Sequence, residues 1–260
     1  MRRFPSAAVL SLGAVAGLSA AVAATAQTAA APQYFVIHQE VAKPSMVKEY
    51  ESTTKEFVAL VTANKAKMPH FSFNAYMSPD LTYTFVAPVP NLAGLDAINA
   101  DFGALAQAAG PAFLDLNKRS GAATEYIKEM IVQYAPELSY SPAQPRLQPG
   151  QARFYHYDMY YVMPGREADA DALSSDYVKT FKSKGATTGY NVYKTAMGPE
   201  MPLYIAVIPA IDAADYESNR VKQEALLGPE LQSLAARAMA LTRRFETRQA
   251  VARPDLSVPR

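Results

Sequence analysis

Two short runs place a histidine and an acid two residues apart inside an apolar, aromatic stretch: His38-Gln39-Glu40 and His156-Tyr157-Asp158. On an extended strand residues i and i+2 share a face, ~6.5 Å apart along the chain, so each run presents an imidazole and a carboxylate together. These are the groups of general acid–base catalysis, of divalent-metal ligation and of buried hydrogen-bonded pairs. Residue types alone leave all three readings open, the last because a duplicated gene keeps a structural pair in both copies. No set of ligands with metal-site spacing is assigned. His70, the remaining histidine, lies beside Pro69 with no histidine counterpart, which reads as a surface role.

The two runs are 118 residues apart, and the offset recurs downstream. Gly110-Pro111 with Leu116 matches Gly228-Pro229 with Leu234, and Pro136-Glu137-Leu138-Ser139 matches Pro254-Asp255-Leu256-Ser257. The chain is therefore an internal duplication. In the first copy, alternation predicts a strand over residues 34–41, and Met46, Val47, Tyr50, Phe57, Val58 and Val61 mark a helix with Ser45 as its N-cap. Residues 71–77 and 81–87 read as a hairpin turning at Ser78-Pro79-Asp80. A helix over residues 92–105 breaks at Gly110-Pro111, and a strand over 124–133 closes the unit. The second copy repeats this order from residue 153, its first helix ending at a C′ glycine, Gly185. Each copy is thus β-α-β-β-α-β, the ferredoxin-like arrangement. The expected divisions are a first repeat at 34–140, a Pro-rich linker at 141–152 and a second repeat at 153–260.

A four-stranded sheet with helices on one face must cover its other face, and two copies in one chain can cover each other. Such tandem units resemble the dimeric α+β barrel superfamily, which includes antibiotic-biosynthesis monooxygenase-like, EthD-like and NIPSNAP-like proteins. The resemblance spans roughly residues 34–258 and rests on element order and duplication. It implies an α+β fold in which two ferredoxin-like repeats pack as an intrachain pseudo-dimeric barrel, with ligands held between sheet and helices or inside the barrel.

If the more apolar face of each first strand meets the helices, Phe35, Ile37, Tyr155, Tyr157 and Met159 belong to the helix layer. His38, Glu40, His156, Asp158 and Tyr160 then face the barrel interior. A second repeated set, Asn74 and Tyr76 with Asn191 and Tyr193, lines the same candidate pocket or holds the sheet by cross-strand pairing. Arg244, Glu246 and Arg248 alternate along the last strand, as an anion site if they face inward and as a solvated run otherwise.

Composition narrows the function. A net charge of +1 without a clustered basic face argues against nucleic acid as a partner. No cysteine is present, so disulfides, thiolate metal sites and iron–sulfur ligation are excluded. No phosphate loop, nucleophile elbow or zincin motif occurs, and no cofactor is indicated. Met1-Arg2-Arg3, the uncharged run over residues 7–24 and the small residues Ala24-Thr25-Ala26 read as a signal peptide over residues 1–26, followed by an Ala-rich leader over 27–33. The expected mature protein is exported, periplasmic or secreted, and is not an integral membrane protein once cleaved. Two functions fit: an exported small-molecule-binding barrel, as a cofactor-independent enzyme on a small organic ligand or as a ligand-binding protein, or a non-catalytic exported scaffold for homo-oligomer or partner contact without a small-molecule substrate. An enclosed cavity reached by both histidines separates them, because a filled interior favours the scaffold.

Overall fold

Strand β1 (Tyr34–Ala42) sits between two antiparallel neighbours, and this central place determines what its side chains meet. The computed structural model describes residues 34–259; the expected signal peptide and leader lie outside the described residues. After β1 come α1 (Val47–Ala63), β2 (Asn74–Met77), β3 (Thr82–Val89), α2 (Gly94–Ala109), α3 (Pro111–Ala123) and β4 (Thr124–Tyr134). The second copy runs β5 (Phe154–Val162), α4 (Glu167–Ser183), β6 (Asn191–Met197), β7 (Leu203–Ala210), α5 (Ala213–Leu227), α6 (Pro229–Leu241) and β8 (Thr242–Ala252).

Local chemistry explains the boundaries. Gly110 and Gly228 adopt φ of 52° and 59°, and the proline that follows each opens a new helix, so one helical segment becomes two in both copies. α4 ends as expected at Gly185: the Gly185 N–H donates to the Lys182 carbonyl and the Ala186 N–H to the Phe181 carbonyl, which is a Schellman closure. Ser45, expected as an N-cap, stands instead inside a single 3-10 turn, Pro44–Met46, that leads into α1. Pro44 at its first position sets that tight turn, and Met46 becomes the cap residue with no side-chain bond.

The strands close into one antiparallel barrel in the order β1-β3-β2-β8-β5-β7-β6-β4. Each copy contributes a four-stranded sheet, and the sheets join reciprocally. The second strand of each copy meets the last strand of the other, Tyr76 facing Ala252 and Tyr134 facing Tyr193. The described residues therefore form a mixed α+β fold, two tandem ferredoxin-like repeats making an eight-stranded pseudo-dimeric barrel with six helices outside it. Among the described residues no helix is long and apolar enough to cross a membrane.

The sequence expectation about strand faces is reversed. Phe35, Ile37, Tyr157, Met159 and Tyr161 pack with Val132, Tyr193, Leu203 and Ile205 inside the barrel, a cluster drawn from both copies. His38, Glu40, Asp158 and Tyr160 face the helices. The reason is geometric: an eight-stranded barrel has an interior just wide enough for side chains to fill, so it takes the more apolar and aromatic face. Each such ring or aliphatic chain stabilises the closed barrel by ~1.5–3 kcal/mol of burial. The helix side is covered less tightly and leaves room for polar groups. A core around Tyr50, Val61, Phe73 and Leu105 fills part of that layer in the first copy, and one around Val162, Leu173, Tyr204 and Leu234 in the second.

Candidate functional site

The register of three strands assembles the first site. His38 on β1 lies directly across from Glu129 on β4 and from Phe85 on β3, so all three share the helix-facing side. His38 Nδ1 is 2.7 Å from Glu129 Oε1 and Nε2 is 3.1 Å from Glu40 Oε1. Helix α1 completes the network, the Tyr50 hydroxyl donating to Glu40 Oε2 at 2.7 Å. Tyr50 is fully buried, and its own carbonyl accepts from the Thr53 and Thr54 hydroxyls. Burial of the imidazole opposes its charge, but its bonds to Glu129 and Glu40 outweigh that and push its pKa up to about 9. At neutral pH His38 is an imidazolium donating from both nitrogens. With both glutamates ionised, the trio carries one net negative charge.

This network forms the polar end of a cavity of about 670 Å³ between the first sheet and α1, α2 and α3. The rest of the wall is mainly apolar, with a phenylalanine cluster beside aliphatic side chains and a few threonine, serine and asparagine groups. Phe57 stacks on Phe102 with ring planes 7° apart, Phe71 meets Phe102 at 4.6 Å, and Phe73 meets Phe85 edge-on at 5.4 Å. Glu40 is 7% exposed at its side chain and Glu129 is 45% exposed, so Glu129 is the carboxylate a ligand can reach. A volume of this size, apolar and aromatic with a few convergent polar groups, is the usual form of a small-molecule pocket.

The second copy has built something different from the same unit. His156 Nε2 bonds Asp158 Oδ1 at 2.9 Å, and the ring stacks on Tyr216 of α5 at 4.4 Å with planes 13° apart. No second carboxylate flanks it, since the residues across from His156 are Gln249 on β8 and Ile208 on β7. The fourth residue of α4 is Ala170 where the fourth of α1 is Tyr50, so the buttressing hydroxyl is missing too. A separate cavity of about 340 Å³ lies here, lined by Asp158, Tyr160, Tyr177, Tyr190 and Tyr216 among others.

The nine sequence candidates are thus dispersed. His38 and Glu40 line the first cavity; Asp158 and Tyr160 line the second, with His156 bonded to Asp158. Tyr76 and Tyr193 point into the barrel, where Tyr76 packs edge-on against Tyr155 at 5.0 Å and Tyr193 against Phe35 at 5.5 Å. Asn191 is half-buried two residues before Tyr193, and Asn74 is exposed. Among the described residues the two histidines lie on opposite sides of the packed barrel and share no pocket. Arg244, Glu246 and Arg248 hold one another and reach Glu200 and Asp80, so their charges are matched within the protein. His70 is exposed and bonds the buried Asp101. Among the described residues no group of three or more histidine, aspartate or glutamate side chains is arranged to hold a metal ion.

Glu129, Tyr50 and the phenylalanine wall escaped the sequence reading. Glu129 is the informative omission: it lies on a strand recognised as such, but its meeting with His38 depends on pairing register.

No protein-family model matches the chain, and no curated protein matches it. Solved structures share its fold. A provisionally assigned monooxygenase from Lactobacillus acidophilus NCFM superposes with a TM-score of 0.52 at 8% identity, over 87% of this chain and 96% of that one. Chlorite dismutase from Candidatus Nitrospira defluvii gives 0.51 at 13% identity, over 87% and 93%. An anthrone oxidase-like protein gives 0.57 at 14% identity, over 86% of this chain and 93% of its own, and at such identities the shared property is the barrel itself.

Proposed function

We propose that this chain is an enzyme that removes a proton from an apolar, aromatic small molecule bound in the first-copy cavity. The observation that carries the reading is the Glu129–His38–Glu40 network, an imidazolium held between two carboxylates at the polar end of a phenylalanine-lined space. Glu129, the reachable carboxylate, accepts the proton. His38 offers positive charge to the oxyanion or delocalised carbanion that results, and Glu40 with Tyr50 fixes the ring. The aromatic wall selects a flat, apolar body. The packed barrel by itself would suit a scaffold, but a cavity walled on three sides by helices and ending in a charged network is an expense that a scaffold does not need.

The fold neighbours named as an anthrone oxidase-like protein and as a monooxygenase support an oxidative continuation. A carbon acid such as an anthrone, once deprotonated, gives electrons to dioxygen: the CH₂ becomes C=O and the second oxygen atom leaves as water with both hydrogens. Such a reaction needs only a base, an electrostatic partner for the anion and dioxygen, which is the sense in which the enzyme is cofactor-independent. The reading of an exported protein rests on the basic start and apolar run of residues 1–24, and N-terminal sequencing of the mature protein tests it.

The test is oxygen uptake and absorbance change with 1,8-dihydroxyanthrone, comparing the natural chain with Glu129→Gln and His38→Asn. Loss of one positioned acid–base group lowers the rate 10²–10⁴-fold. Turnover that survives both substitutions, or a hydroxyanthrone that neither binds nor reacts, would sink the proposal.

A further inference from the structure

We infer that the second-copy cavity is a binding site for a small organic cation, an ammonium with an apolar body, held by Asp158 inside a ring of tyrosines. The inference concerns the other copy and does not rest on the reading of the first cavity.

Charge is the first argument. Asp158 lines the cavity, and its bonded partner is His156. His156 Nε2 faces the carboxylate while its Nδ1 is buried without a hydrogen-bond partner among the described residues. A protonated ring would leave a buried N–H donor unsatisfied at Nδ1, whereas a neutral ring with its proton on Nε2 leaves only an unused lone pair. Asp158 thus has a single ring nitrogen of His156 as its bonded partner, in contrast to the two carboxylates that hold His38. Two arginines also line the cavity and both are salt-bridged: Arg146 to Asp215 through two contacts of 3.0 and 2.8 Å, with its Nε buried and without a partner among the described residues, and Arg220 to Glu217 and Glu224. This is the reverse of the first copy, where the charged imidazolium already matches the buried carboxylate.

Aromatic surroundings are the second argument. Tyr160, Tyr177 and Tyr216 come from β5, α4 and α5 and converge on Asp158. Burial, with the nearby Asp158 carboxylate adding to it, raises the Tyr177 hydroxyl to about 12 and pushes those of Tyr160 and Tyr216 higher still. All three are neutral, electron-rich rings at physiological pH. Tyr190 adds a fourth, and its hydroxyl is buried with no partner among the described residues. A carboxylate and several tyrosine faces are what an ammonium group requires: ion pairing and cation–π attraction. An anionic ligand would meet Asp158 instead, and a neutral one would leave its charge unmatched.

Isothermal titration with choline and benzyltrimethylammonium, set against the neutral choline isostere 3,3-dimethylbutan-1-ol and against benzoate, tests the assignment. The cations should bind, the isostere at least tenfold more weakly and benzoate not at all. Asp158→Asn should abolish the preference for the cation over its isostere, and Tyr177→Leu should weaken the cation about tenfold. Thermal midpoints of both variants report folding, and if Asp158→Asn fails to fold, the Tyr177→Leu titration and the isostere comparison still decide. Glu129→Gln, in the other cavity, should leave cation binding unchanged. Equal affinity for cation and isostere, no cation binding, or binding that Glu129→Gln removes would each overturn the inference.

Discussion

Replacing Glu129 by glutamine should return His38 toward the ordinary titration range of an imidazole, and the size of the change follows from the geometry. In the intact protein the ring sits near pKa 9 although its burial alone would pull it below 6.5. The hydrogen bond to Glu129 is the strongest of the influences that raise it, ahead of the bond and charge of Glu40. Removing it leaves Glu40 alone against burial, so the midpoint should fall from about 9 toward the ordinary imidazole range. NMR titration of the imidazole carbons reads this directly, and His38→Asn identifies the resonance among three histidines. The folded-state pKa lies above the unfolded one, so the pair contributes stability that is complete below about pH 6.5 and lost as pH rises through about 9. The upper bound is about 3 kcal/mol, reduced by solvent screening because Glu129 is nearly half exposed. Urea denaturation at pH 6 and at pH 9.5 should therefore show the natural chain losing stability that Glu129→Gln never had. A wild-type His38 titrating at or below 6.5 would refute the imidazolium and with it the proposed electrostatic role.

Other substitutions probe the supports of the same network. Tyr50→Phe removes the hydroxyl that donates to the buried Glu40 and should cost ~1–3 kcal/mol in denaturant unfolding, with the His38 midpoint also changed. Leu105→Ala in the fully buried first-copy core should cost ~2–5 kcal/mol, an effect with no pH dependence. Gly185→Ala places a Cβ where φ is 66° but nothing lies within 4 Å, so its cost should be backbone strain alone, ~1–2 kcal/mol, with activity and ligand binding unchanged.

The duplication made the fold legible. Matched landmarks such as Gly110-Pro111 and Gly228-Pro229 fix element order twice over, and a ferredoxin-like unit with one bare face has few ways to satisfy itself within one chain. The His-acid runs were legible as chemistry but not as geometry. Parity correctly grouped His38 with Glu40 and His156 with Asp158, since i and i+2 share a face whatever the register. It could not say which face points inward. That choice depends on which compartment packs more densely, the barrel or the helix layer, and the dense barrel took the tyrosine-rich set of Tyr157, Met159 and Tyr161. Glu129 was unreadable for a related reason: a strand's sequence does not state which residue it will face.

Divergence between the copies then becomes the informative signal. A His-acid pair retained only for packing would keep the same neighbours in both places, because the strands, helices and breaks around it are retained. The neighbours instead change together. Glu129 has Gln249 in its cross-strand place, Tyr50 gives way to Ala170, and a phenylalanine wall in one copy faces a tyrosine wall in the other. Each change follows from the charge it has to serve. Where two carboxylates hold the histidine, the imidazole is cationic and the surrounding wall is mainly aliphatic and phenyl. Where one carboxylate stands beside the histidine, the wall supplies rings and hydroxyls that suit a positive charge brought from outside. Two cavities of opposite electrostatic demand on one duplicated frame are best explained by two ligands, or by two parts of one reaction, and the separate effects of Glu129→Gln and Asp158→Asn distinguish them. If both variants lose the same activity while each keeps the other's ligand, the cavities act in one reaction; if each loses only its own ligand, they act apart.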